Sequence, residues 1–301
     1  MKKTLFFSLI TVILSSISLT IFADGKVKGI YLTELTASDT SKVQYFIDNA
    51  KAVGIDTFVV DYVAPNKKYT KNIQLIKENG IRYVARVVIF PGGATPEQVK
   101  STTYLENRLA LMKQAIALGA DEIQLDYIRY KPTQKPSAQN AEQIVKVIRY
   151  FKEGIAYSKV PLQADVFGIA TFKPSIYIGQ NLQLFAQELD AINPMVYPSH
   201  YEPYKVHAVK PYDTVYDSII ALKKQIESDS DVKIHAYIEL FNYRYPMDHA
   251  KRQDYIRAQL KAVKDSDADG WYAWSAGNRY DILFEVLKAQ EKGTQQLAQK
   301  D

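Results

Sequence analysis

The stretch 121–130 reads DEIQLDYIRY. Asp121 and Glu122 close a helix-to-strand turn, after which apolar Ile123 and Leu125 alternate with polar Gln124 and Asp126. That is the period of two of a β-strand, whose successive side chains point to opposite faces. A polar face ending in a carboxylate does not suit a strand buried between two apolar layers. It suits a strand whose polar face looks into a closed barrel, with Asp126 at the mouth. Arg129 lies just beyond and could hold that carboxylate ionised through a charge-assisted hydrogen bond. A structural Asp–Arg pair at a strand end is the plainer alternative.

Outward from this stretch, strands and helices alternate with little padding. VKGIYLTEL (27–35), DTFVVDYV (56–63) and RYVARVVIF (82–90) precede it as strands. PLQADVF (161–167), AINPMV (191–196), KIHAYIEL (233–240) and GWYAW (270–274) follow it. Helical patterns fill the gaps at 41–53, 71–79, from the PGGATPE turn to 118, and at 141–157, 182–189, 213–227, 248–264 and 279–290. Gly54, Gly80 and Gly119 stand where the first three of these helices stop. Eight strands, each followed by a helix, predict an α/β fold of a single kind, the (β/α)8 TIM barrel, over residues 24–290. A polar tail, 291–301, lies beyond it. The alternative is an open doubly wound sheet. Its glycine-rich phosphate turn is missing, with no GxGxxG or GxxxxGK[ST], so no nucleotide cofactor is expected.

The N-terminus reads as separate from the fold. Met1–Lys3 is a short positive region, 5–22 an apolar run, and Ala23 a small residue before Asp24. This is the pattern of a signal peptide cleaved near Ala23, which implies a periplasmic or secreted protein. An uncleaved membrane anchor is the second choice.

The 301 residues contain no cysteine, and a core of this size needs no disulfide. The net charge of +5 is scattered rather than clustered, which argues against a nucleic-acid partner. The 22 tyrosines, 12 phenylalanines and 2 tryptophans suit a groove that stacks on sugar faces.

In a TIM barrel the working groups sit at the C-terminal ends of the strands. Those ends carry Glu34, Asp61, Arg86, Asp126, Asp165, Asn193 with Tyr197, Glu239, and Trp274 with Asn278. Around Asp126, Asp165 and Glu239 the phase agrees. Gln124, Gln163, His235 and Tyr237 share the carboxylates' face, while Ile123, Leu125, Leu162, Ala164, Ile234, Ala236 and Ile238 take the other. Paired carboxyl groups are what glycosidic cleavage uses: one protonates the leaving oxygen, the other attacks or directs water. The four histidines, His200, His207, His235 and His249, form no HxH or HExxH, so no zinc site is predicted. GxSxG is also absent, which removes the usual serine-hydrolase elbow.

Four blocks, DEIQLDYIRY (121–130), ADVFG (164–168), INPMVYPSHY (192–201) and ADGWYAWSAGNRY (268–280), resemble the signature blocks of the glycoside hydrolase domain family DUF4015. The resemblance spans 27–287 and implies a TIM-barrel, glycosidase-like fold. It also implies that Asp126 and Asp165 are the acidic residues of the strand-four and strand-five motifs. Tyr197, Ser199 and His200 fall in the strand-six block, and Trp274, Asn278 and Arg279 in the strand-eight block. The sequence departs from the pattern in two places. Asp61 is followed by YVAPNKKY rather than further acids, and Ile238-Glu239 replaces a Gln-Asp pair.

The expectation is therefore a glycoside hydrolase acting on a polysaccharide or glycan, without a cofactor or metal. Asp126 is the expected nucleophile and Asp165 the general acid/base, with Glu239 as substitute. Asp61, Arg86, Arg129, Asn193, Tyr197, His200, Trp274 and Asn278 are the expected substrate-binding residues. The rival is a non-catalytic carbohydrate-binding barrel.

Overall fold

The computed structural model describes residues 25–226, 230–241 and 243–298. The export segment expected at 1–23 lies outside the described residues. Eight parallel strands close into a barrel in chain order: β1 Val27–Leu32, β2 Thr57–Asp61, β3 Arg82–Val88, β4 Glu122–Asp126, β5 Leu162–Phe167, β6 Ala191–Met195, β7 Lys233–Glu239 and β8 Gly270–Trp274. β1 pairs with both β2 and β8, so the sheet has no free edge. The expected TIM barrel is the observed fold.

The alternation seen in β4 holds round the whole barrel. Outward residues such as Ile30, Phe58, Ala85, Ile123, Leu125, Ala164, Ile192, Ile234, Ile238 and Ala273 join one apolar cluster with the helix ring. Each large aliphatic side chain buried this way contributes roughly 1.5–3 kcal/mol. Inward residues Val27, Tyr31, Val59, Val84, Tyr237 and Tyr272 form a second cluster within the barrel. Gly29 makes room for the Tyr272 ring, since a Cβ there would lie 2.6 Å from it.

The inward polar residues form a bonded layer under that mouth. Gln124 donates to Gln163 at 3.0 Å, Asn193 to Gln163 at 2.6 Å, Gln163 to Glu122 at 2.6 Å and Tyr237 to Gln124 at 2.8 Å. Such pairing offsets the cost of burying amides in the barrel.

Several boundaries differ from the sequence reading, for local reasons. β1 stops at Leu32 because Thr33 caps a short helix, Glu34–Ala37. Glu34 therefore leaves the rim and accepts a hydrogen bond from the Ala64 backbone. The helix expected to begin after PGGATPE is two, Pro96–Lys100 and Thr102–Ala117, with Ser101 ending one and capping the next. The last helix runs Asp281–Ala298, into what was read as tail. Gly54, Gly80 and Gly119 do adopt left-handed φ values, of 67°, 76° and 98°.

Candidate active site

Three inward carboxylates and one arginine meet at the C-terminal mouth. β3 sets Arg86 opposite Asp61 of β2. β4 pairs with β5 through Leu125 and Ala164, so the next step on each strand brings Asp126 beside Asp165. Adjacent strands are about 4.8 Å apart, which makes the two carboxyls close neighbours. The Arg86 guanidinium lies among all three acids. Its Nη1 donates to Asp61, its Nη2 to Asp126, and its Nε faces Asp165 at 3.7 Å. That Nε is buried and has no hydrogen-bond partner.

The shared arginine leaves the two aspartates in different surroundings. Asp126 is in direct contact with the cation. Asp165 is only 4% exposed and further from it, and receives one hydrogen bond from Asn193 at 3.2 Å. Burial, then the negative charge of Asp126, pushes the Asp165 pKa well above the usual carboxylate range, against the opposing pull of Arg86. Burial works against the charge on Arg86, but Asp126, Asp61 and Asp165 together raise its pKa, so it stays charged. The result is an acid of raised pKa beside an arginine-paired aspartate.

These groups open onto a cavity of about 310 Å³. Its lining includes Arg86, Asp126, Arg129, Asp165, Tyr197, His200 and Trp274, so seven of the sequence candidates come together there. Trp274 stacks on Tyr31 with ring centroids 4.0 Å apart, and Arg86 sits 5.2 Å from the Trp274 ring centre. The Tyr197 hydroxyl is buried beside the acids; desolvation, then Asp165, raises its pKa. His200 is held neutral, burial and then Arg244 lowering its pKa.

The other four candidates lie off the cavity. Asp61 is bound by Tyr31 Oη and Arg86 beneath it. Asn193 is fully buried and supports Asp165 from β6. Asn278 ties strand ends together, donating to the carbonyls of Tyr31 and Ser275 and accepting from the Thr33 backbone. Glu239 is fully buried, bonded to the Ser199 hydroxyl, to Ser199 N at 3.0 Å and to Tyr255 Oη at 3.4 Å. It does not join the Asp126–Asp165 pair.

The expected Arg129–Asp126 pair is not formed, because Arg86 occupies that place. Tyr127 takes a left-handed φ of 52° immediately after Asp126, turning the chain out of β4. Arg129 is thereby carried onto the cavity wall, between the rings of Tyr127 and Phe167. Tyr127, Phe167 and Tyr31 were missed as site residues. The inward phase of β1 could have pointed to Tyr31, but no residue spacing announces the kink at Tyr127. Among the described residues, no group of three or more His, Cys, Asp or Glu side chains is arranged to hold a metal ion.

The family profile DUF4015, described as "Putative glycosyl hydrolase domain", matches residues 98–280. No curated protein matched the sequence. Among solved structures, the class V chitinase from Pseudomonas fluorescens Pf-5 superposes with a TM-score of 0.64 at 11% identity, covering 87% of this chain and 98% of that one. The spore cortex-lytic enzyme SleL of Bacillus cereus gives 0.60 at 11% identity, covering 87% and 73%. The chitinase-like agglutinin of Robinia pseudoacacia gives 0.57 at 12%, covering 87% and 99%. At these identities the likeness is one of fold.

Proposed function

We propose, from the premise that the chain belongs to the glycosyl hydrolase domain family DUF4015, that it cleaves glycosidic bonds with Asp126 and Asp165. The observation that carries this reading is the pairing of two neighbouring aspartates in unlike states on one cavity. Asp165, whose pKa burial and then Asp126 raise, is suited to protonate the leaving oxygen. Asp126, in direct contact with the Arg86 cation, is suited to attack the anomeric carbon or direct water to it. Both carboxyls flank one guanidinium from neighbouring positions on adjacent strands, as a pair acting on one glycosidic bond requires. Trp274 offers a ring face to the sugar, and Tyr197 and His200 offer polar groups.

The substrate in this reading is a polysaccharide or glycan met outside the cytoplasm, since 1–23 has the make-up of an export signal. N-terminal sequencing of the exported protein should then begin near Asp24. For the chemistry, the protein is incubated with a panel of bacterial glycans and the products are read by mass spectrometry. Wild type should release shorter oligosaccharides. Asp126→Asn and Asp165→Asn should each lose turnover by at least about 100-fold while still binding.

One feature favours the rival reading of a carbohydrate-binding barrel: Arg86 contacts both Asp61 and Asp126, which restrains the carboxylate proposed to attack. Binding without product release by wild type across the panel would decide for that alternative.

A further inference from the structure

Arg86 is surrounded by acids, but the cavity contains a second arginine that is not. The ion pairs among the described residues include none to Arg129, and its one side-chain hydrogen bond is from Nη1 to the Tyr130 carbonyl at 2.9 Å. Nevertheless Arg129 is only 9% exposed and lines the cavity. A buried guanidinium is costly unless something compensates its charge.

Its position is closely fixed. The guanidinium carbon lies 5.2 Å from the Tyr127 ring centre and 4.9 Å from that of Phe167, so two aromatic rings hold the group. The Arg129 carbonyl accepts from Ala94 N at 2.8 Å and its amide donates to the Tyr127 carbonyl at 2.9 Å. Gly93, at φ 101°, lets the backbone pass so close that a Cβ there would lie 2.7 Å from Nη1. These contacts orient the side chain without neutralising it. Burial lowers its pKa, but a guanidinium remains protonated at neutral pH.

Two aromatic plates and a fixed backbone thus present an unpaired planar cation at the wall of the cavity that holds Asp126 and Asp165. A planar fork of N–H donors matches a carboxylate better than a hydroxyl. We infer that Arg129 receives a carboxylate carried by the sugar, so that the cavity takes an acidic rather than a neutral glycan. This inference rests on the cavity being the glycan site proposed above. A hexuronic acid and a sugar bearing a lactyl ether both present the required group.

The test compares oligogalacturonides with glycan strands containing N-acetylmuramic acid, each with its carboxyls intact and with them reduced to alcohols. Affinity is measured by calorimetry and turnover by kcat/KM, on the full exported chain. Wild type should favour the intact form of at least one pair by about tenfold or more, the size of a charge-assisted hydrogen bond. Arg129→Gln should bring that ratio close to one, and Arg129→Lys should keep part of it. Equal handling of intact and reduced forms by wild type would overturn the inference, and needs no variant to fold. An undiminished ratio in Arg129→Gln, or no binding of any acidic glycan, would overturn it too. A protein that binds the intact form selectively but cleaves nothing would sustain the inference while sinking the hydrolase reading.

Discussion

Glu239 gives the sharpest quantitative prediction. It sits at the end of β7, fully buried, with the Ser199 hydroxyl, the Ser199 amide and Tyr255 around it. Burial raises its pKa from the ordinary 4.5 to about 7, against those three hydrogen bonds, which favour the charged form. A folded-state pKa above the unfolded one means that the native state binds the proton more tightly. The contribution to stability is then complete below about pH 4.5 and is lost as pH rises through about 7. At 1.36 kcal/mol per pKa unit, the loss comes to about 3 kcal/mol. Glu239→Gln is close to the protonated acid in shape and cannot ionise. Urea unfolding of both proteins at a series of pH values from 4.5 to 8 isolates the effect. The variant should gain on wild type steadily across that window, by about 3 kcal/mol in all. A stability difference that stays flat over the whole range would show that Glu239 is ionised in the fold and that the hydrogen bonds outweigh burial.

Two further substitutions probe the barrel itself. Arg86→Met should leave Asp61 and Asp126 without their cation and cost about 3–5 kcal/mol at pH 7, with part recovered in acid as the carboxyls protonate; urea titrations at pH 5 and 7 measure both. Gly29→Ala should force the Tyr272 ring aside and cost about 1–3 kcal/mol, seen as a lower Tm, and an unchanged Tm would refute the close approach.

The barrel was legible because its two faces differ in chemistry. Gln124 and Asp126 against Ile123 and Leu125 fix which way β4 points, and the same phase in β5 and β7 extends the argument round the sheet. Strand ends were less legible, because a cap decides them: Thr33 turns the chain into a helix one residue past β1 and removes Glu34 from the rim. Partner choice was the least legible. Sequence proximity suggests Arg129 for Asp126, but side chains on adjacent inward-facing strands meet more directly than neighbours along a kinked chain. Arg86 reaches Asp126 across the barrel wall, while the left-handed turn at Tyr127 carries Arg129 elsewhere. Glu239 shows the same limit. Its inward phase was readable, but the Ser199 contacts that close it off come from the segment following β6, distant in sequence.

The asymmetry between Asp126 and Asp165 follows from counting charges around one cation. Three carboxylates surround Arg86, and a single guanidinium cannot compensate all of them in a site this dry. Asp61 and Asp126 take its terminal nitrogens. The third faces only Nε, at 3.7 Å, has a single side-chain donor in Asn193, and is the one whose pKa burial raises. Unlike surroundings for neighbouring acids therefore need no special residue for each, only an arginine placed off-centre. Moving that arginine, or deleting Asp61 so that it can turn further toward Asp165, should lower the Asp165 pKa. An Asp61→Asn variant thus tests the asymmetry without touching either acid. Its Asp165 pKa, followed by carboxyl NMR, should fall relative to wild type, and a value that stays put would mean that burial alone sets the proton.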